Sequence, residues 1–246
     1  NNIDVTTSPY SGYLFNSTLY GNGYVLKMDA VTPNALFDKI TNSHIYDLGV
    51  ENLYSSFISS ADDSEFVNCY VTGKSSRHRT RGGFVERASD TTFTNCYSTC
   101  TVTNDKDEDV GGFVGHANSS TFKNCYATGN VTAIHNIGGF VGYSRDSTFD
   151  SCYATGNVSD GGYGFVGDID VFMSSSSTII KNCYSSGSST SGGALSFAPT
   201  TSNATITNSY ALTDGQSAPF TYSNTGFMTG VTHAKVKPTG SPRIIK

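Results

Sequence analysis

The chain has 246 residues, of which 37% are hydrophobic and 14% charged, with a formal net charge of −5. This length holds one elongated domain or two compact ones, and the apolar content can fill a core, so the composition excludes a disordered chain. The acidic balance argues against nucleic acid as a partner, because phosphate binding needs a basic surface, and no apolar run approaches the roughly 18 residues of a membrane-crossing helix, so no membrane insertion is expected.

Residues 1–34 are read as an imperfect first coil that acts as an N-terminal cap. They alternate as strands do in Tyr13-Leu14-Phe15 and in Tyr24-Val25-Leu26-Lys27-Met28, on either side of a Gly21-Asn22-Gly23 turn. The end of a stacked array exposes strand edges, so an atypical terminal unit has a physical task there. With neither an initiating Met nor a signal sequence, the chain is expected to be a segment excised from a longer protein.

Residues 35–212 repeat one phrase. It is clearest in Gly112-Phe113-Val114-Gly115 followed by Thr121-Phe122-Lys123-Asn124-Cys125-Tyr126-Ala127-Thr128-Gly129-Asn130-Val131. The trio Phe113/Phe122/Cys125 recurs at the same offsets as Leu36/Ile45/Leu48, Phe57/Phe66/Cys69, Phe84/Phe93/Cys96, Phe140/Phe149/Cys152 and Phe197/Ile206/Ser209. Phe165/Ile180/Cys183 fits once an insertion is allowed around Asp168 to Ser177, which makes seven copies spaced 21, 27, 29, 27, 31 and 26 residues apart. Periods in this range mean a solenoid, propeller or array. Gly, Ser, Thr and Asn break every helical period, the leucine-rich signature is absent, and a propeller blade needs about 40 residues. The expected fold is therefore all-β: a single-stranded parallel β-helix of about seven regular coils plus end caps, right-handed by the usual crossover preference.

Alternation assigns a direction to each position. Leu48 and Val50 occupy the places of Cys69 and Val71, so both places face inward and the residue between them faces out. That residue is Tyr in six consecutive coils: Tyr70, Tyr97, Tyr126, Tyr153, Tyr184 and Tyr210. Coils ~4.8 Å apart would stack these rings into an outward ladder, with Thr72, Thr99, Thr128 and Thr155 on the same face. The residue before each Cys, namely Asp47, Asn68, Asn95, Asn124, Ser151, Asn182 and Asn208, reads as a structural corner, because stacked Asn amides bond to one another and Asn tolerates bend conformations. Residues 213–246 lose the phrase and contain Pro219, Pro238, Pro242 and several Lys and Arg, which reads as a C-terminal cap and basic tail.

The Gly-Gly-Phe-Val-Gly strings at 111–115 and 138–142 and the Asn-Cys-Tyr-Ala-Thr-Gly-Asn-Val string at 124–131 resemble the GLUG motif of bacterial surface proteins. Tyr20-Gly21-Asn22-Gly23-Tyr24-Val25-Leu26 and Ala35-Leu36-Phe37 are similar to the lead-in of the non-catalytic N-terminal region of immunoglobulin-A-cleaving zinc metallopeptidases and related adhesins. The resemblance implies an exported β-helical module, secreted or at the cell surface, and carries over neither a ligand nor catalytic residues. The departures are Leu48 and Ser209 in the Cys column, the insertion near 165–183 and a degenerate Gly192-Gly193 copy.

Five of the six cysteines hold one repeat position, so they read as reduced core filler rather than as disulfides. Cys100 replaces the turn glycine of Gly73, Gly129 and Gly156 and is expected to be a free, partly exposed thiol. One loop carries Lys74, Arg77, His78, Arg79 and Arg81, and the next carries Asp105, Asp107, Glu108 and Asp109; stacked, they would compensate each other's charge. Asp105, Asp107 and Asp109 are the candidate metal ligands, although Val110 and His116 stand where an EF-hand needs Gly and Glu. The segment has no His-Glu-x-x-His, its five histidines read as solvated loop residues, and no cofactor is indicated. A β-helical polysaccharide enzyme would gather carboxylates or a base on one strand face, where this chain places Tyr and Thr.

The ladder of Tyr70, Tyr97, Tyr126, Tyr153 and Tyr184 is therefore the candidate ligand-binding face, while a purely structural ladder is the plainer reading of the same residues. The function expected from sequence is a non-enzymatic, monomeric adhesion module for a glycan or a host extracellular-matrix protein. A spacer that presents another domain is the first alternative and a carbohydrate-active enzyme the second.

Overall fold

The computed structural model describes residues 3–4, 12–28, 35–76, 81–105, 109–159, 161–170, 178–189, 197–199 and 204–211. These contain strands and turns, and every strand pair is parallel. Each coil lays down three strands in fixed order, one on each of three sheets. The first coil holds β2 (Gly12–Phe15), β3 (Thr18–Tyr20) and β4 (Val25–Lys27), and the second β5 (Phe37–Thr41), β6 (His44–Tyr46) and β7 (Gly49–Leu53). β2 pairs with β5, β3 with β6 and β4 with β7, while β1 (Ile3–Asp4) lies against β4 on its other side. The three sheets grow upward to seven, eight and eleven strands. The parallel β-helix expected from the repeats is the observed fold.

The register keeps the repeat columns in line. Ile45 stands on Phe66, Phe66 on Phe93, Phe93 on Phe122 and Phe122 on Phe149, and Ile180 and Ile206 follow. Pairing of Thr148 with Ile179 and of Val141 with Val166 confines the extra residues of that coil to the stretch between 170 and 178. Residues 171–177 themselves, the Gly192-Gly193 copy and the tail from 212 onward lie outside the described residues.

Two phenylalanine columns fill the core. Phe84, Phe113, Phe140, Phe165 and Phe197 stack with centroids 4.8–5.0 Å apart, and Phe66, Phe93, Phe122 and Phe149 stack at 4.9 Å. Between the columns the rings meet edge to face at 5.6–5.9 Å, so each ring from Phe66 to Phe165 in the two columns has both favoured aromatic geometries at once. The Gly-Gly of the repeat has a steric reason as well: a Cβ on Gly112 would run into the carbonyl of Gly139, and one on Gly139 into that of Gly164.

The corners need left-handed backbone, and short polar residues supply it. One corner is the Asp47/Asn68/Asn95/Asn124/Ser151/Asn182/Asn208 column, with φ of 48–57°. Its amides each donate to the coil below, Asn68 Nδ2 to Asp47 Oδ1 at 2.8 Å, Asn95 to Asn68 at 3.1 Å and Asn124 to Asn95 at 3.2 Å. Where Ser151 breaks the column, Asn182 Nδ2 donates to Asp150 Oδ1 instead, at 3.1 Å.

A second corner, Asn16, Asn42, Asp63, Asp90, Ser119 and Asp146, has φ of 47–50°. It is followed by an inward hydroxyl column formed by Ser17, Ser43, Ser64, Thr91, Ser120 and Ser147. Each of these hydroxyls donates to the carbonyl two residues back at 2.7–2.9 Å. From Ser43 to Ser147 each also accepts the backbone N–H of the coil before it, at 3.1–3.3 Å. This column lies within the repeat, but the sequence reading did not single it out.

Beyond the third sheet, the coils send out arms that fold back. Lys74–Ser76 pairs with Thr101–Thr103, Arg81–Gly82 with Val110–Gly111, and Val110–Gly111 with Ile137–Gly138. Val102, Val110, Val131, Ile137 and Val158 form a small second core under them. The stacking expected for the two charged arms holds over these strands, while residues 77–80 and 106–108 lie outside the described residues.

Phe122→Ala should lower the unfolding free energy by ~3–5 kcal/mol, the usual cost of deleting a fully buried ring, because it opens both columns at once. Guanidinium unfolding followed by circular dichroism measures it, and a loss under about 1 kcal/mol would mean the columns are not the core's main support.

Candidate functional site

Pairing of Tyr70 with Tyr97, and onward through Tyr126 and Tyr153 to Tyr184, places these tyrosines in one outward row on the third sheet, and the backbone register continues to Tyr210. The rings of Tyr70, Tyr97, Tyr126, Tyr153 and Tyr184 stack with centroids 4.7–5.0 Å apart and planes within 6°. The row closes at the bottom over Gly49, where a Cβ would strike the Tyr70 ring. The Tyr70 hydroxyl donates to Glu51 Oε1 at 3.1 Å.

This geometry limits what the row can bind. Each interior ring has neighbours on both faces, so no π-face remains for a sugar ring to lie on. What points outward is a line of ring edges and hydroxyls, half-buried and about one coil height apart. Burial lifts the phenol pKa values, with Glu51 reinforcing the effect at Tyr70 and Tyr97 and the neighbouring phenols at Tyr126; Tyr153 is pushed up to about 12.

The cysteine column is buried and free of disulfides. Each Sγ from Cys69 to Cys183 donates to the carbonyl two residues back at 3.2–3.4 Å. Ser209, the departure at the upper end, does the same through Oγ at 2.8 Å, so a hydroxyl replaces the thiol without loss of the bond. Burial pushes the Cys96 and Cys152 thiols up, and Cys125 shares their carbonyl-lined, water-free surroundings, which disfavour a thiolate.

Cys100 corrects the sequence reading. It is fully buried rather than partly exposed, because the arm after the third sheet packs down instead of looping out. Its backbone lies directly beneath Gly129, and burial pushes its thiol up to about 12. It is an inert core residue.

Of the candidate metal ligands, Asp105 is exposed, Asp107 lies outside the described residues, and Asp109 is committed elsewhere. Asp109 Oδ2 lies 3.2 Å from His116 Nδ1, and Asp109 Oδ1 accepts from Asn136 Nδ2 at 2.9 Å. Among the described residues no group of three or more ligating side chains is arranged around a common point. His116 is not a solvated loop residue: it stands on Val114–Asn118, with its ring 4.6 Å from that of Tyr143. Tyr143 is held up to about 12 by burial and by its bond to Asp170, which also lies 3.4 Å from Arg145 Nε. Sequence reasoning missed this cluster because the repeat position that His116 and Tyr143 share, held in other coils by Ser60, Arg87 and Asp168, changes residue type from coil to coil. The only signal was the variability of that position between copies.

No helix among the described residues is long and apolar enough to cross a membrane. The GLUG motif matches residues 107–132 and 134–159. No curated protein matches the chain. Among solved structures, one named IgA1 Protease superposes with a TM-score of 0.55 at 13% identity, covering 89% of this chain and 19% of its own. A Bacteroides ovatus structure described as a candidate immunoglobulin A1 protease gives a TM-score of 0.48 at 20% identity, covering 84% of this chain and 66% of its own. The chain thus spans about a fifth of the first of these proteins, and at that identity the likeness is one of fold.

Two measurements follow from the burial. The ladder phenols are favoured in their protonated form by the fold, so their contribution to stability is complete below pH ~10, the value for a free tyrosine, and is lost as pH rises through their folded values. Stability should therefore stay level to about pH 10 and fall steeply toward pH 12, with phenolate absorbance rising in the same window; a normal tyrosine titration in the folded protein would contradict the ladder. In the native state a thiol reagent should label none of the six cysteines, and all six after unfolding. Rapid native labelling of Cys100 would restore its exposed reading. On these findings the chain carries the GLUG motif in two consecutive coils of a parallel β-solenoid.

Proposed function

We propose that the chain is a non-enzymatic module of a larger exported protein, secreted or held at the cell surface, in which the solenoid serves as a rigid scaffold. One observation carries this reading: the repeated columns, aromatic, amide, hydroxyl and thiol alike, find their partners inside the stack, in the neighbouring coil or in a backbone carbonyl of their own. Side chains so committed fix geometry and leave few groups for chemistry. Three strands per coil at ~4.8 Å spacing would lift whatever the upper end carries by several nanometres.

A second reading, adhesion to a glycan or a host extracellular-matrix protein, is favoured by the outward line of phenol hydroxyls. It would bind through hydroxyl edges and hydrogen bonds rather than through stacking on ring faces.

A glycan and matrix-protein array separates the two. The chain is compared with Tyr126→Phe/Tyr153→Phe, which removes two hydroxyls and keeps the rings. The scaffold reading expects no retained ligand for either protein. A ligand bound by the native chain and lost in the double variant would establish the adhesive face, and sugar released from a polysaccharide would establish an enzyme.

A further inference from the structure

The outer face of the third sheet departs from the self-sufficiency of the other columns. At the corner, the hydroxyls of Ser43, Ser64, Thr91, Ser120 and Ser147 each donate to a carbonyl and accept an N–H. On the third sheet the rings of Tyr97, Tyr126 and Tyr153 stack, and the backbone amides of Thr99, Thr128 and Thr155 donate to the coil below. The side-chain hydroxyls of these six residues bond to no described residue, and none of the six is buried.

Register turns them into two straight rows. Tyr97 pairs with Tyr126 and Tyr126 with Tyr153, with ring centroids 4.7 and 4.8 Å apart, so one phenol follows the next at one coil height. The threonines, two residues further along each coil, form a second row roughly 6–7 Å to the side, the length of two strand residues.

This face is also uncharged. The stretches 97–104, 126–133, 153–159 and 184–189, which hold the third-sheet strands of four successive coils and the turns after them, contain no Asp, Glu, Lys or Arg. The other two faces are charged through the same height, with Arg145 and Asp168 on the first sheet and Lys123, Asp150 and Lys181 on the second.

We infer that the two rows form a lengthwise track for one uncharged polysaccharide, a flat chain of equatorially 1,4-linked pyranoses that runs along the solenoid axis with one sugar per coil. The inference rests on the adhesive reading and names its ligand. Such a chain advances by about one coil height per sugar and carries hydroxyls on both long edges, so it can bond to the phenol row on one side and the threonine row on the other. Binding through ring edges and hydroxyls suits rings whose faces are already covered. A peptide strand laid along the same axis repeats every two residues, about 6.6–6.8 Å, and falls out of step with the coils. An acidic glycan finds no cation on the track. Each hydroxyl contributes little alone, so affinity accumulates with the number of coils spanned.

Calorimetric titration of the chain with cello-oligosaccharides of two to six sugars tests this. Affinity should climb with each added sugar, the hexamer binding at least roughly tenfold tighter than the dimer, and the β-1,3-linked hexamer, which curls away from a straight track, should bind far more weakly. Tyr126→Phe/Tyr153→Phe and Thr128→Val/Thr155→Val, each with an unchanged circular dichroism spectrum, should weaken the hexamer by roughly fivefold or more. No binding of the hexamer, affinity independent of length, equal affinity for the β-1,3-linked hexamer, or full affinity in both variants overturns the inference. If the chain then still retains an acidic glycan or a matrix protein on the array through its phenols, the adhesive reading stands without this ligand; if it retains nothing, both fall.

Discussion

Parallel strands stacked in register place each residue directly on its counterpart one coil away, about 4.8 Å below. A residue type survives at a repeat position only if it can bind a copy of itself at that distance. Phenylalanine and tyrosine do so by offset stacking, asparagine by amide donation, serine and threonine by accepting a backbone N–H, and cysteine by filling a small buried volume while bonding to a carbonyl. The architecture is thus a set of columns, and the repeat is the list of residues that tolerate their own company. Apart from the aspartates at the corners, charged residues stand at variable positions, where opposite signs such as Lys39 and Asp62 or Lys181 and Asp150 fall on adjacent coils.

That rule also decides what could be read from the sequence. The Phe, Cys, Tyr and Asn columns were legible because one letter recurs at one offset, and with them came the fold and the register. The hydroxyl column was not, since Thr91 interrupts its serines, the preceding corner varies among Asn, Asp and Ser, and serine is common throughout the chain. Cys100 was misplaced for a different reason. Its turn-glycine position marks a bend, but nothing local tells that the arm beyond the bend folds back to bury Val102 and Val110. The Asp109, His116 and Tyr143 cluster depends on that arm as well, and His116 and Tyr143 hold one repeat position whose residue type changes from coil to coil.

The candidate site shows the same division. Its location and outward direction followed from alternation alone. Its accessibility did not, because whether stacked rings offer their faces or only their edges depends on a spacing of one coil height and on planes held within a few degrees. In an isolated coil the tyrosines would be sugar platforms; in the stack they become one another's ligands.

The backbone hydrogen bonds that join the coils run along the long axis of the solenoid, the direction in which a surface module is stretched when its two ends are held apart. Tension along that axis loads each coil boundary head-on rather than in shear, so bonds at the outermost boundary break in succession while the interior stays folded. The molecule would lengthen in steps of one coil, 21 to 31 residues of chain at a time, and behave as an extensible shock absorber whose force is set by a single boundary and whose reach is set by the number of copies.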